Sequence, residues 1–171
     1  MTRILSLFLA LLLCAASAAT ALAAAKRPAD PWIYYHFDGI GFKPGPSPDN
    51  KPYVAIRERL RPVLLTSQTA PLESIALPEG SGAISGICYI QSAGGKLGSG
   101  GGYDPCPRQP LLISSGGRQL VTVQTDENGY FVVVLPAGNY AIGSGPFAAE
   151  IPVERGITSL VPLRAGKRMV D

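Results

Sequence analysis

Thr125-Asp126-Glu127-Asn128-Gly129-Tyr130-Phe131-Val132-Val133-Val134-Leu135-Pro136-Ala137-Gly138-Asn139-Tyr140 contains a turn, a strand and a second turn, each with a physical cause. Asn128-Gly129 tolerates the positive φ that tight connections need, so Asp126–Gly129 is expected to close a hairpin. The run Tyr130–Leu135 is β-branched and aromatic and is the most apolar strand, so it is expected to lie centrally. Pro136 then removes an amide donor and Gly138 relaxes the backbone, which ends the ladder.

The same alternation of short apolar runs and turn residues extends from Ser81 to Leu163. Ala83–Gln91 reads as the first strand and Leu111–Ser115 as the second, bounded by Pro110 and Gly116-Gly117. Gln119–Thr125, Tyr130–Leu135, Tyr140–Gly143, Ala148–Val153 and Thr158–Leu163 complete a set of seven. Short strands recurring every 8–12 residues or so indicate an all-β sandwich. The 20 glycines and 16 prolines suit many turns and oppose a helical protein.

The segment 26–80 is different. Nine prolines between Pro28 and Pro78 argue against long regular elements, and an irregular, Pro-rich extension is expected there. Its aromatic cluster is Trp32, Tyr34, Tyr35, Phe37 and Phe42. Tyr53–Leu65 fits either a short helix or a strand with Arg57, Arg59 and Arg61 on one face, and periodicity does not separate the two.

The first 25 residues read as a targeting signal. Arg3 precedes the apolar run Ile4–Cys14, and small residues follow to Ala23-Ala24-Ala25, the order expected of a cleaved signal peptide. The run is short for a membrane anchor. Cys14 follows Leu11-Leu12-Leu13 rather than the small residues of a lipidation site. Cleavage would leave about 146 residues with no transmembrane segment, in the periplasm or secreted. Of 15 basic residues Arg3 falls in the leader, so 14 stand against 12 acidic ones, about +2, too little to suggest nucleic acid as a partner. Cys88 and Cys106 then remain, and an even count in an oxidising compartment predicts a disulfide closing an 18-residue loop.

Thr125-Asp126-x-x-Gly129-x-Phe131, then Leu135-Pro136-x-Gly138-x-Tyr140, then Val153-x-x-Gly156-x-Thr158 resemble the pattern of carboxypeptidase regulatory-like domains. The resemblance covers residues 81–164, with 165–171 as a tail. It implies a seven-stranded antiparallel Greek-key sandwich of the prealbumin (transthyretin) type, acting as a structural or docking unit with specificity in its loops. Ser92–Pro110 departs from the family, being longer and Gly-rich. Such a segment buries little and needs restraint, which the cysteines at its ends would supply. Lys96 and Tyr103 are its candidate contact residues, alongside Trp32, Tyr34 and Tyr35 as aromatic anchors for a protein or glycan of the cell envelope.

Evidence for chemistry in the sequence is thin. His36-x-Asp38 is the single pair that suggests a small hydrolase or metal-dependent enzyme, but no nucleophile elbow or further ligand accompanies it. Asp126, Asn128 and Gly129 resemble the start of a calcium loop whose closing Glu is absent. Lys96-Leu97 breaks the phosphate-loop pattern. The histidines and C-terminus of hydroxyisourate hydrolases, which share the transthyretin fold, are missing. The Asn that self-cross-linking pilin-like domains use in their last strand is missing from Thr158–Leu163. The expectation is a non-enzymatic module without cofactor or metal.

Overall fold

The computed structural model describes residues 31–47, 51–67, 69–93, 102–143 and 148–169; the expected leader, 1–25, and Lys96 lie outside them. Pro31–Asp171 forms one compact unit. Among the described residues there is no helix long and apolar enough to cross a membrane. The regular elements there are all strands: β1 (Ile33–Phe37), β2 (Phe42–Pro44), β3 (Tyr53–Ile56), β4 (Val63–Leu65), β5 (Ser81–Ala93), β6 (Gly102–Pro105), β7 (Pro110–Ser115), β8 (Arg118–Gln124), β9 (Tyr130–Pro136), β10 (Gly138–Ile142), β11 (Ala149–Val153) and β12 (Thr158–Met169).

They form three sheets, ordered β2-β1-β3-β4, β11-β10-β7-β8, and β12-β5-β6 with β9 also paired to β5. The third sheet is the middle layer, and β5 is its axis. Every residue from Ser81 to Tyr89 is buried, because side chains alternating along this strand enter two different cores. Ile84 and Cys88 point with Phe131, Leu135 and Val161 toward the β11-β10-β7-β8 sheet, meeting Ile113, Tyr140 and Ile142. Ile87 and Tyr89 point the other way and pack with Phe37, Val54 and Tyr130 under the N-terminal sheet.

Several expectations change at this point. The segment expected to be irregular contributes a regular third layer. Its prolines lie where a strand accepts them, Pro44 ending β2 while Pro52 and Pro62 precede β3 and β4. Tyr53, Val54 and Ala55 are all buried because this sheet is covered on both faces. Tyr53–Leu65 is thus two strands, and Arg57, Arg59 and Arg61 lie in their connection rather than along one face.

The sandwich is not purely antiparallel. β12 runs parallel to β5 from Thr158↔Ala83 to Met169↔Ala93. Eight strands follow Ser81, not seven, since the Gly-rich segment contributes β6, antiparallel to β5 through Tyr89↔Pro105. β9 is not central: among the described strands it pairs with β5 alone, over Ser81↔Pro136 to Ile87↔Tyr130. The Asp126–Gly129 turn is not a hairpin either. It arches from one sheet to the next, since β8 pairs with β7 and β9 with β5.

The expected Cys88–Cys106 disulfide is also not formed. Both are free, buried thiols without a bond between the sulfurs. The even count correctly brings them together, for the Cys106 N–H donates to the Cys88 carbonyl at 2.9 Å. Burial, then the hydrogen bond and field of the Cys106 thiol, push Cys88 up to about 12. Cys88 therefore keeps its proton at neutral pH.

Candidate functional site

The motif around Thr125 builds the arch. The Thr125 hydroxyl donates to the Cys106 carbonyl at 2.6 Å and accepts the Gln109 N–H at 2.7 Å, clamping the β6–β7 connection. One oxygen of Asp126 accepts the N–H groups of both Asn128 and Tyr130 at 2.8 Å. Gly129 has φ +77°, and a Cβ there would lie 2.7 Å from the Cys88 carbonyl oxygen. Phe131 follows into the core, where its ring fills the space a side chain at Gly86 would need: a Cβ at 86 would stand 2.6 Å from that ring. The second turn is fixed by the Tyr140 hydroxyl, which donates to the Pro136 carbonyl at 2.9 Å.

Beside this arch lies a groove of about 500 Å³, between β4 on one wall and the start of β9 on the other. Val63 and Leu64 face Tyr130, Phe131 and Val132 across it. Pro71, Glu73 and Ile75 form one rim, and Arg61, Gln124 and Asp126 bring polar groups to its ends. Both walls are strand edges that no described strand continues. The Cys88 N–H donates to the Gly129 carbonyl at 2.8 Å, which sets the alternation along β9. Odd residues of β9 bond to β5, so the peptide groups of Val132 and Val134 point away from it, toward the open edge. Tyr130 anchors the groove floor. Its hydroxyl donates to the Pro52 carbonyl at 3.0 Å, and burial holds its pKa well above the usual tyrosine range. The site thus offers apolar walls, free main-chain donors and acceptors, and charges of both signs at its rim. That chemistry suits an extended peptide segment.

Sequence reasoning did not find this groove. Its walls come from residues more than sixty positions apart, and the missing signal was strand character in 53–65. Of the polar residues beside it, Thr125 was noted as part of a fold motif, and Asp126 as part of that motif and of an incomplete calcium loop.

The residues singled out from sequence are used differently. Tyr103 is half-buried, edge-on to Phe37 at 4.8 Å between ring centres and to Tyr89 at 6.1 Å. Lys51 stands over the Tyr103 ring at 5.9 Å, and burial raises the pKa of the Tyr103 hydroxyl. Trp32 and Tyr34 pack on the outer face of the N-terminal sheet around Tyr53, Ala55 and Leu65, under Ala70 and Leu72. Tyr34 meets Tyr53 edge-on at 6.0 Å. Tyr35 is half-buried within β1, opposite Pro44 and Val54.

His36 and Asp38 are engaged separately. His36 Nδ1 lies 3.1 Å from the Gly45 carbonyl oxygen. Asp38 Oδ1 accepts the N–H groups of Ile40 and Gly41 at 2.9 Å, and those turn amides hold its carboxyl below the usual range. Its other oxygen is 3.8 Å from Lys43 Nζ. Among the described residues no three His, Cys, Asp or Glu side chains gather as a metal site.

No protein-family model matches this chain, and no curated protein matches it. Among solved structures it is similar to GBS52, the minor pilin of the Gram-positive pathogen Streptococcus agalactiae, at 11% identity and a TM-score of 0.37. The match covers 76% of this chain and 66% of that one, slightly under two thirds of the pilin chain's length. At that score the likeness carries no argument about function.

Proposed function

We propose that this chain is an exported, non-enzymatic β-module of the cell envelope, related to the carboxypeptidase regulatory-like domains. It works by binding, and the β4–β9 groove receives an extended segment of a protein partner. The observation that supports this reading is a contrast. Side chains with chemical potential, His36, Asp38 and Tyr103, are engaged in the fold, whereas the main-chain edge of β9 beside an apolar groove is open. Strand addition gains affinity from such main-chain groups and selectivity from alternate side-chain pockets. The leader at 1–25 supports export.

The test has two arms. N-terminal sequencing of protein from a periplasmic or culture fraction is expected to begin at Lys26; full-length protein confined to the cytosol overturns the export reading. Cross-linking to envelope extracts is expected to capture a partner with the native groove. Ile75→Lys, which places a charge on an exposed rim position, is expected to lose it. Equal capture by both proteins overturns the groove assignment. Catalytic turnover abolished by His36→Ala would overturn the non-enzymatic reading.

A further inference from the structure

The strand edges of this molecule are not equally protected. Pro152 lies in β11 and Pro162 in β12, while Pro44, Pro105 and Pro136 end β2, β6 and β9. β4 has only three residues. Prolines and brevity are the usual guards against edge-to-edge pairing. β8 (Arg-Gln-Leu-Val-Thr-Val-Gln) lacks them: it has seven residues, no proline, one charge, and a single bulge at Leu120. It is the outer strand of the β11-β10-β7-β8 sheet, and six of its seven residues are exposed. Leu120 is 52% and Val121 40% accessible, beside Leu112 at 38% on β7.

The hydrogen-bond alternation shows what this edge presents. The Thr125 N–H donates to the Gln109 carbonyl at 3.1 Å, and the Leu112 carbonyl accepts the Gly143 N–H at 2.9 Å. β7 therefore bonds to β8 through its odd residues and to β10 through its even ones. On β8, Val121 and Val123 face β7, which leaves the peptide groups of Thr122 and Gln124 directed outward.

We propose that β8 is a self-association edge, at which two copies of this chain join their outer sheets antiparallel about a two-fold axis at Thr122. The sequence is self-complementary in that register. Thr122 meets Thr122 as a hydrogen-bonded pair, and Val121 meets Val123. The bulge at Leu120 shortens that half of the strand by one position, so Arg118 stands level with Thr125 of the other copy, next to Asp126. No like charges oppose each other, and the contact closes on itself as a two-fold interface should. One strand pair and a few apolar side chains make a small interface, so the dimer forms at high protein concentration. The edge meets the groove only at its end, where Gln124 and Asp126 lie.

Sedimentation velocity of the mature protein over a concentration series tests this. The expected result is reversible dimerisation, weakened by salt and by Arg118→Glu. Thr122→Pro removes an outward N–H and is expected to raise Kd by about tenfold or more without changing the far-UV circular dichroism. If Thr122→Pro misfolds, Thr122→Lys, at an exposed side chain, provides the same comparison. Thr122→Cys is expected to form a covalent dimer under copper-catalysed air oxidation, since hydrogen-bonded antiparallel pairs sit at disulfide distance. A strictly monomeric protein throughout the series overturns the proposal. So does a dimer unaffected by the Thr122 substitutions, or a Thr122→Cys protein that does not cross-link.

Discussion

Replacing Gly129 with Ala tests the arch most directly. Two costs combine there. At φ +77° an L-residue loses about 1–2 kcal/mol relative to glycine. The added Cβ would also lie 2.7 Å from the Cys88 carbonyl oxygen and 3.0 Å from the Cys106 nitrogen. Both are main-chain atoms, so relief requires moving the arch. Moving it stretches the Cys88-to-Gly129 and Cys106-to-Cys88 hydrogen bonds, now 2.8 and 2.9 Å, each worth about 1 kcal/mol net. Gly129→Ala should therefore destabilise by roughly 3–4 kcal/mol. Gly117→Ala is the control: its φ is also +77°, yet nothing lies within 4 Å of the added Cβ. It should lose only the conformational part, about 1–2 kcal/mol. Urea unfolding of the three proteins followed by far-UV circular dichroism measures both. Equal losses in the two variants would refute the close-approach argument and leave backbone conformation as the whole reason for glycine at 129.

Trp32→Ala should lower stability by about 1–2 kcal/mol, the share of a half-buried aromatic, and leave capture of envelope partners unchanged. Reduced capture at unchanged stability would restore Trp32 as a contact residue. The raised Cys88 pKa predicts slow alkylation of the folded protein at neutral pH and fast alkylation once it is unfolded in urea; rapid native labelling would contradict the buried thiol pair. The same group sets an alkaline limit. Because the folded thiol keeps its proton up to about 12, while an unfolded one loses it near 8.5, stability is undiminished below the unfolded value. It then falls as pH rises through that window, by up to about 1.4 kcal/mol per unit. Urea midpoints that stay flat from neutral pH up to the Cys88 value would exclude this linkage.

The second half was legible because local chemistry and global fold agree there. The strands seen in Leu111–Ser115, Tyr130–Leu135 and Thr158–Leu163 are all present, and Thr125, Asp126 and Gly129 make the turn their residue types suggest. What sequence could not convey was which strands are neighbours. The Asn128-Gly129 turn satisfies a hairpin and an arch equally well, and only long-range pairing to β5 selects the arch. Ser81–Tyr89 is the central strand because both its faces are covered, and one of those covers comes from the segment whose prolines suggested irregular structure. The aromatic cluster was legible as a cluster, and its packing came from the fold: Trp32 and Tyr34 lie on the N-terminal sheet, and Tyr103, from β6, meets Phe37 of that cluster. The groove depends on the meeting of Val63–Leu64 with Tyr130–Val132, a contact that no local pattern encodes.

The parallel ladder between β5 and β12 has a consequence for the order of folding. Its partners stand 75 or 76 positions apart in the chain, and parallel strands of such separation assemble late because the intervening loop must close first. Until that happens, one margin of the buried strand β5 remains unsealed. A chain of this design locks only when its last strand arrives, and its middle layer stays open to other pairings until then.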